Sequence, residues 1–443
     1  MSSGLKRDLN KWHGFALMIG GMIGAGIFVV TGEAGATAGP SVPFGYVVLL
    51  PILLSSALAY LIFLSTPLGQ GPGGAYVHIS QTFKSKFAGF FFMWFQFIAL
   101  LGVMAIMALS FGEYIVGVFG FGNVTVLATV MILVFYVLNV IGVKWFGKIQ
   151  MWMSIVLFVA IILLVVPGLF AIETSNFTPM LPNGIEGFLA ILPSLFFAYF
   201  GFEQLAQAGG EMEDPQKSMP RTMIIGSIAT VIIYFLVSFV AFGVIPYDQL
   251  AASQSAMTDV AAVYLPAWGK WIVTIGIIMA FATTLNSLVM VVSRMMFVFA
   301  EEDIFPKMFS RVHKTTGTPV LAITINTIVS LLLIWTGTVD YLITMALQGM
   351  FLMYIGHSAS MLALPFVRKE LFESALIQPK IPLIIVCGIF SLSVLVYFSY
   401  SLILSVLPLL SVWALVGIAI YMTRKVMKKD LVLKPVIEAK KTV

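Results

Sequence analysis

Four glycines, Gly20, Gly21, Gly24 and Gly26, fall inside the stretch Leu17-Met-Ile-Gly-Gly-Met-Ile-Gly-Ala-Gly-Ile-Phe28, at the centre of an apolar run from Trp12 to Gly39. Each costs about 1 kcal/mol of helix propensity relative to alanine. If the helix unwinds there, amides opening its second half point into a cavity and the helix dipole adds partial positive charge, which suits a carboxylate. Close packing through Gly20-xxx-Gly24 is the alternative that spacing alone leaves open. A second irregular stretch, Pro193-Ser-Leu-Phe-Phe-Ala-Tyr-Phe-Gly-Phe-Glu203, carries Gly201 inside an aromatic run and a carboxyl group at its end. An ionised carboxylate at membrane depth costs at least about 2.5–3.5 kcal/mol, so Glu203 is expected neutral or hydrogen-bonded, with capping of freed amides as its structural role.

These stretches must be positioned by membrane helices. Hydrophobic residues make up 60% of the 443, charged residues 10%, and the mean hydropathy is +1.04, a balance that leaves too few polar residues to cover a soluble surface. The chain reads as an all-α integral membrane protein. A spanning helix needs about 20 apolar residues, and twelve segments qualify: 12–39, 43–69, 86–112, 123–143, 149–171, 185–210, 220–245, 267–298, 319–336, 341–365, 381–400 and 402–423. Lys6, Arg7 and Lys11 ahead of the first run imitate a signal peptide, but the run is too long for one. With the N-terminus in the cytoplasm and the spans alternating, every Lys and Arg except Lys270 falls inside, as the positive-inside rule requires. Both termini are then cytoplasmic and the membrane is the plasma membrane. The loop 246–266 is long enough for a short surface helix.

The two irregular stretches lie in the first and sixth segments, five apart. Because five is odd, repeats of five helices insert with opposite orientation and bring the two breaks together near the midplane. The expected organisation is one transporter domain, 1–443, with inverted repeats over 12–171 and 185–365 and two further helices in 381–423. The single cysteine, Cys387, excludes an intramolecular disulfide. Nothing suggests nucleic acid as a partner, and His13, His78, His313 and His357 are scattered without a catalytic motif.

The run Gly20-Gly-Met-Ile-Gly-Ala-Gly-Ile-Phe28 resembles the signature of the amino acid-polyamine-organocation transporter superfamily. Further resemblances follow in order: Gly71-Pro-Gly-Gly-Ala-Tyr76, Phe197-Ala-Tyr-Phe-Gly-Phe-Glu203, Glu211-Met-Glu-Asp-Pro215 with Met219-Pro-Arg221, and Glu302-Asp-Ile-Phe-Pro306. The resemblance implies a LeuT-like fold, discontinuous first and sixth helices, and secondary transport of an amino acid by alternating access. It assigns the substrate carboxylate to amides at Ile23, Gly24, Ala25, Gly26 and Ile27. The ammonium goes to carbonyls at Gly20 or Gly21 and at Phe196, Phe197 and Tyr199, with Phe200 and Phe202 flanking the substrate or gating it. Glu203 matches a position where a glutamate links gating to protons in some relatives, and Glu211, Glu213 and Asp214 resemble residues that hold the inner gate.

The resemblance also bears on coupling. Proton-coupled relatives can carry a lysine midway along the fifth helix, and the matching position here is Leu157; from Met151 to Ala171 no residue is ionisable. Thr283 and Thr284 stand where sodium-coupled LeuT-like proteins place hydroxyls. Oxygens of Gly20, Ile23, Ala280, Thr283 and Thr284 would give a sodium ion five ligands, while back-bonding of the two hydroxyls to their own helix is the plain alternative. No other cofactor is expected. A neutral, apolar amino acid is the expected substrate, with polyamines or cationic amino acids as the rival class.

Overall fold

The computed structural model describes residues 5–24, 26–253, 255–336 and 339–427. Its secondary structure among these residues is helical, apart from an isolated parallel bridge between Leu9 and Met212. The first segment is interrupted: α1 (Lys11–Met22) ends partway along it, a π-helical turn follows over Gly26–Val30, and α2 (Thr31–Ala38) completes it. Next come α3 (Val42–Val48), α4 (Leu50–Leu64), α5 (Gly74–Phe83), α6 (Lys86–Phe119), α7 (Val124–Ile141) and α8 (Val143–Gly168). The sixth segment is broken as well, into α9 (Gly184–Ala198) and a 3-10 helix over Phe202–Gly210. Then follow α10 (Pro215–Val244), short α11 (Tyr247–Ala252) and α12 (Ala256–Tyr264), α13 (Ala267–Glu301), α14 (Val320–Thr336), α15 (Val339–Val367), short α16 (Lys369–Glu373) and α17 (Ile381–Met427).

Nine helices among the described residues are long and apolar enough to cross a membrane. The twelve expected segments differ from this number for local reasons. The first half-helix α1 and the 17-residue α14 are short, and the last two expected spans form one continuous helix. That helix has 47 residues and would measure about 70 Å if straight. Its contacts rule out a straight course. Ile384 near its start packs with Leu364 and Leu371, close to where Arg368 donates to the Gln81 carbonyl. Arg424 near its end donates to the carbonyls of Asp303 and Phe305, beside the Lys86–Glu302 ion pair. Both ends of α17 therefore lie at the same end of the bundle, and the helix doubles back between Ser399, which holds Gln348, and Trp413. The return arm is pinned by two indoles stacked at 4.3 Å, each donating to the other's carbonyl: Trp94 to Trp413 and Trp413 to Trp94.

Small residues set how closely the long helices approach. A Cβ on Gly276 of α13 would sit 2.0 Å from the Ala160 Cβ of α8, and one on Gly349 of α15 would lie 2.4 Å from the Phe95 carbonyl oxygen of α6. Backbones at such distances supply the dispersion contacts that hold helices together where lipid offers no hydrophobic drive. The α8–α13 contact matters most for function, because both helices flank α1. Gly276→Ala should force these helices apart and cost about 1–3 kcal/mol of overpacking, read as a lowered unfolding temperature in detergent; an unchanged transition would mean the contact is not tight.

Candidate functional site

The first break begins where α1 runs out of helical carbonyl partners. Ile23 leaves the helical region with ψ of 83°, its amide donating to Ile19 O at 2.7 Å and the Gly24 amide to Met22 O at 3.0 Å. In the sixth segment α9 ends at Ala198, and Gly201 takes a φ of +131°, open to glycine alone at low cost. The two breaks touch. A Cβ on Gly201 would lie 2.6 Å from the Gly21 carbonyl carbon, and one on Gly26 would lie 2.7 Å from Ala198 Cα. Glycine at these positions permits backbone to meet backbone.

The carbonyls freed at the two breaks share one partner. The Tyr234 hydroxyl of α10 lies 2.5 Å from Met22 O and 2.7 Å from Ala198 O. Its ring stacks on Tyr199 at 5.1 Å and meets Tyr46 edge-on at 5.2 Å, and the Tyr199 hydroxyl donates to Tyr46 O at 2.9 Å. Sequence reasoning did not single out Tyr234, because an aromatic residue in an apolar helix reads as packing.

Between the breaks lies a cavity of about 20 Å³, lined by Gly24, Gly26, Phe197, Phe200 and, from α6, Val103 and Met107. Of the residues expected around a substrate, Gly21, Gly24, Gly26, Phe197 and Phe200 line it, and Ala25 lies outside the described residues. Ile23 and Ile27 are buried in the core without lining it. Phe196 packs instead on Phe351, Tyr354 and Phe398, and Phe202 lies flat on Tyr354 with Tyr60 edge-on. The Phe196 and Phe197 carbonyls accept from the Tyr199 and Phe200 amides. Val103 and Met107 were absent from the sequence reading, since nothing in α6 marks which face meets the breaks.

Glu203 is 3% exposed, and its Oε2 accepts from the Gly201 amide at 3.0 Å and from the Tyr354 hydroxyl at 2.7 Å. The carboxyl group thus caps the break, while Oε1 has no hydrogen-bond partner. In α13 the two hydroxyls divide their duties. Thr284 Oγ1 donates across to Gly20 O at 2.7 Å, and Thr283 Oγ1 bonds back to Ala280 O at 2.9 Å. Leu157 is buried core, but two turns earlier Gln150 of α8 enters the same seam. Its Nε2 lies within 3.2 Å of Ala16 O, Thr283 O and Ser287 Oγ, and its Oε1 accepts from Asn286, which in turn accepts from Asn139. Gln150 lies one residue ahead of the uncharged stretch from Met151 to Ala171, and an uncharged amide there gives no sign of its role.

The two ends of the site differ. One helical turn beyond Met107 and Thr284 opens a cavity of about 470 Å³, lined by Phe28, Glu33, Ser110, Glu113, Ile277 and Phe281 among others. At the opposite end Arg294 of α13 grips Glu211 with two bonds, Nη2 to Oε1 at 2.6 Å and Nε to Oε2 at 3.2 Å, and both side chains are about fully buried. The N-terminal segment seals this end. Leu9 exchanges backbone bonds with Glu211 and Glu213, and Arg7 donates to Met212 O and Gln70 O. Of the three acids expected at an inner gate, Glu211 is buried in this ion pair, whereas Glu213 and Asp214 are exposed.

Comparison with known proteins agrees with this architecture. The family described as Amino acid permease matches residues 9–424. The chain belongs to the amino acid permease family. It is therefore a multi-pass membrane protein of a transporter family, and α1 through the return arm of α17 form the permease. Among similar permeases, the serine/threonine exchanger SteT of Bacillus subtilis (strain 168) is 27% identical over 404 residues, covering 88% of this chain and 90% of that protein. The branched-chain amino acid permease BcaP of the same organism is 28% identical over 341 residues, 72% of each chain. The D-serine/D-alanine/glycine transporter of Escherichia coli (strain K12) is 26% identical over 332 residues, 70% of this chain and 68% of that protein.

The buried pair in this permease gives a direct test. Arg294→Met leaves Glu211 without its partner and should cost about 3–5 kcal/mol, whereas Arg294→Met with Glu211→Leu should recover much of that loss. Thermal unfolding in detergent measures both, and additive losses would show that the two groups do not act as a pair.

Proposed function

We propose that this permease carries a neutral, apolar amino acid across the plasma membrane by alternating access, with both ends of the chain cytoplasmic and twelve spans in a LeuT-like inverted arrangement. The observation that carries the reading is the meeting of two backbone breaks beside an apolar pocket. One ligand can then be held by main-chain groups at its charged end and by Val103, Met107, Phe197 and Phe200 at the other. The substrate carboxylate meets amides opening the second half of the first segment, at Gly26 and Ile27, where a helix start leaves donors unused by the helix, and that of Gly24 once it lets go of Met22 O. The ammonium meets carbonyls around Gly21 and Phe197. About 20 Å³ is too little for an amino acid, so binding must swing aside Phe197 and Phe200, which lie parallel with centroids 6.0 Å apart. The closed Glu211 end and the 470 Å³ cavity opposite support an externally facing state. Substrates named for the relatives, serine and threonine or branched-chain amino acids, support a neutral substrate.

Two readings of coupling each have an observation behind them. Sodium coupling at Gly20, Ile23, Ala280, Thr283 and Thr284 is supported by Thr284, whose hydroxyl reaches across to Gly20 O, whereas Thr283 bonds back to Ala280 O of its own helix. Cation-independent exchange is supported by Gln150, whose amide already donates into that seam. Glu203, with one oxygen unpartnered, is the group through which protons would act on the breaks.

A thermal-shift screen of the purified protein against amino acids tests the substrate. A neutral apolar amino acid at 100 times its Kd should stabilise by about 2.7 kcal/mol, and stabilisation by polyamines alone would overturn the reading. Gly24→Leu, whose Cβ would fall 2.2 Å from Thr284 Oγ1, should abolish this shift while the protein still unfolds cooperatively. Uptake into proteoliposomes in sodium and in choline separates the two couplings; equal rates would dismiss sodium.

A further inference from the structure

Two of the four histidines, far apart in the sequence, meet in the fold. His78 of α5 and His357 of α15 are each 1% exposed, and His78 Nδ1 lies 3.0 Å from His357 Nε2. At that distance one nitrogen must donate and the other accept, so the two rings share one hydrogen. Aromatic rings enclose them: Phe63 of α4 lies parallel to His78 with centroids 4.6 Å apart, and Tyr60 packs on His357 at 4.0 Å. The titratable and charged groups of the surrounding elements are engaged elsewhere or exposed. The Tyr60 hydroxyl donates to Met353 Sδ and that of Tyr354 to Glu203, Arg368 just past α15 donates to Gln81 O, and Lys86 opening α6 pairs with Glu302. On α5 itself Tyr76 packs on Phe299 and Lys84 is exposed, while Cys387 of α17 packs on the cluster that holds Phe63.

We infer that His78 and His357 form a proton-binding site that clasps α5 to α15 and lets go when protons arrive from the Glu211 end. A proton is the ligand that two imidazoles facing across one hydrogen bond can take. The first added proton leaves an imidazolium donating to an imidazole. The second sets two N–H groups against each other, and the contact cannot persist. Burial, with a smaller contribution from the His357 imidazole, holds His78 well below the ordinary histidine value. Once the helices separate and water enters, both rings return toward about 6.5. The parted form therefore binds protons more tightly than the clasped one, and by linkage acid favours parting. The clasp holds in full above the parted-form value and weakens as pH falls below it. α5 lies at the Glu211 end, where Gly74 meets Gln207, which makes that side the source of the protons. Tyr60 carries the change onward, because it also meets Phe202 edge-on at 5.6 Å, and Phe202 lies flat on Tyr354, the residue that holds Glu203. The site is separate from Glu203 and goes beyond the transport reading: it makes acid at the Glu211 end a regulator of the permease.

Amide hydrogen exchange of the full chain in nanodiscs tests this without any substrate, so its failure is distinct from failure of the transport reading. Rates for α5 are corrected for the intrinsic pH dependence of exchange and compared with those of α7. Between about pH 8 and about pH 6, two histidines released at about 6.5 should raise α5 exchange about tenfold. His78→Asn or His357→Gln, whose amides stand in for Nδ1 and Nε2 in the contact, should each leave about a fourfold rise, and both together none. A tenfold rise undiminished in both single variants, or one that survives in the double variant where Glu203 is intact, would overturn the site. So would a native rate that does not change with pH. The single variants decide if the double variant does not give a monodisperse, cooperatively unfolding protein.

Discussion

Two lengths of backbone leave the helical ladder in the middle of an apolar bundle, and every amide and carbonyl they release needs a partner that lipid cannot supply. Much of the site is the answer to that constraint. Met22 O and Ala198 O, freed from different segments, share the Tyr234 hydroxyl. Gly20 O takes Thr284, and the Gly201 amide takes Glu203. Partners from α10, α13 and the 3-10 helix therefore tie the breaks to each other and to the surrounding bundle. A shift of one half-helix must break or carry along a bond to the other. Backbone breaks thereby become a shared element that both ends of the molecule can influence.

The seam between α1, α8 and α13 solves a related problem with neutral groups. Ala16 O and Thr283 O face each other across it, and carbonyls so placed repel unless a donor or a cation lies between them. The Gln150 amide is such a donor, held in orientation by Asn286 and Asn139 behind it. An amide keeps its hydrogens at any pH, so this bridge does not respond to protons. The two threonine hydroxyls beside it are engaged without a cation, each by a carbonyl. What distinguishes the competing forms of coupling is then whether an ion can displace bonds that the protein already makes with itself.

How much of this was legible follows from what each residue type cannot hide. Glycines clustered at membrane depth carry a propensity cost without a local benefit, so Gly20 to Gly26 and Gly201 announced both breaks, and Glu203 announced its need for a partner. The loop 246–266 holds α11 and α12, as its length suggested. Tyr234, Val103, Met107 and Gln150 stayed silent, because an aromatic, an aliphatic or an amide inside a membrane helix fits packing equally well until the facing backbone is known. Helix continuity was also illegible: Ile381–Met427 keeps helical bonding through its reversal, so a break in structure was expected where the chain only turns. The same limit applies to Glu211, whose neighbours Glu213 and Asp214 are exposed although the sequence presents all three alike.

The two ends of the pocket set opposing free energies against each other. At the Glu211 end a desolvated ion pair and the Leu9–Met212 bridge favour closure, yet removing two charges from water offsets much of their attraction. The Gln204 amide, buried on the same 3-10 helix, finds no hydrogen-bond partner within the protein, an adverse contribution that hydration would remove. A seal assembled wholly from apolar side chains would lack that opposing term and would stay shut. Polar atoms left unsatisfied in one state bring the two states closer in energy, so a modest difference in ligand affinity can exchange them. The nine-residue 3-10 helix lies where these contributions meet, and its unfavourable length fits a segment selected for movement over local stability.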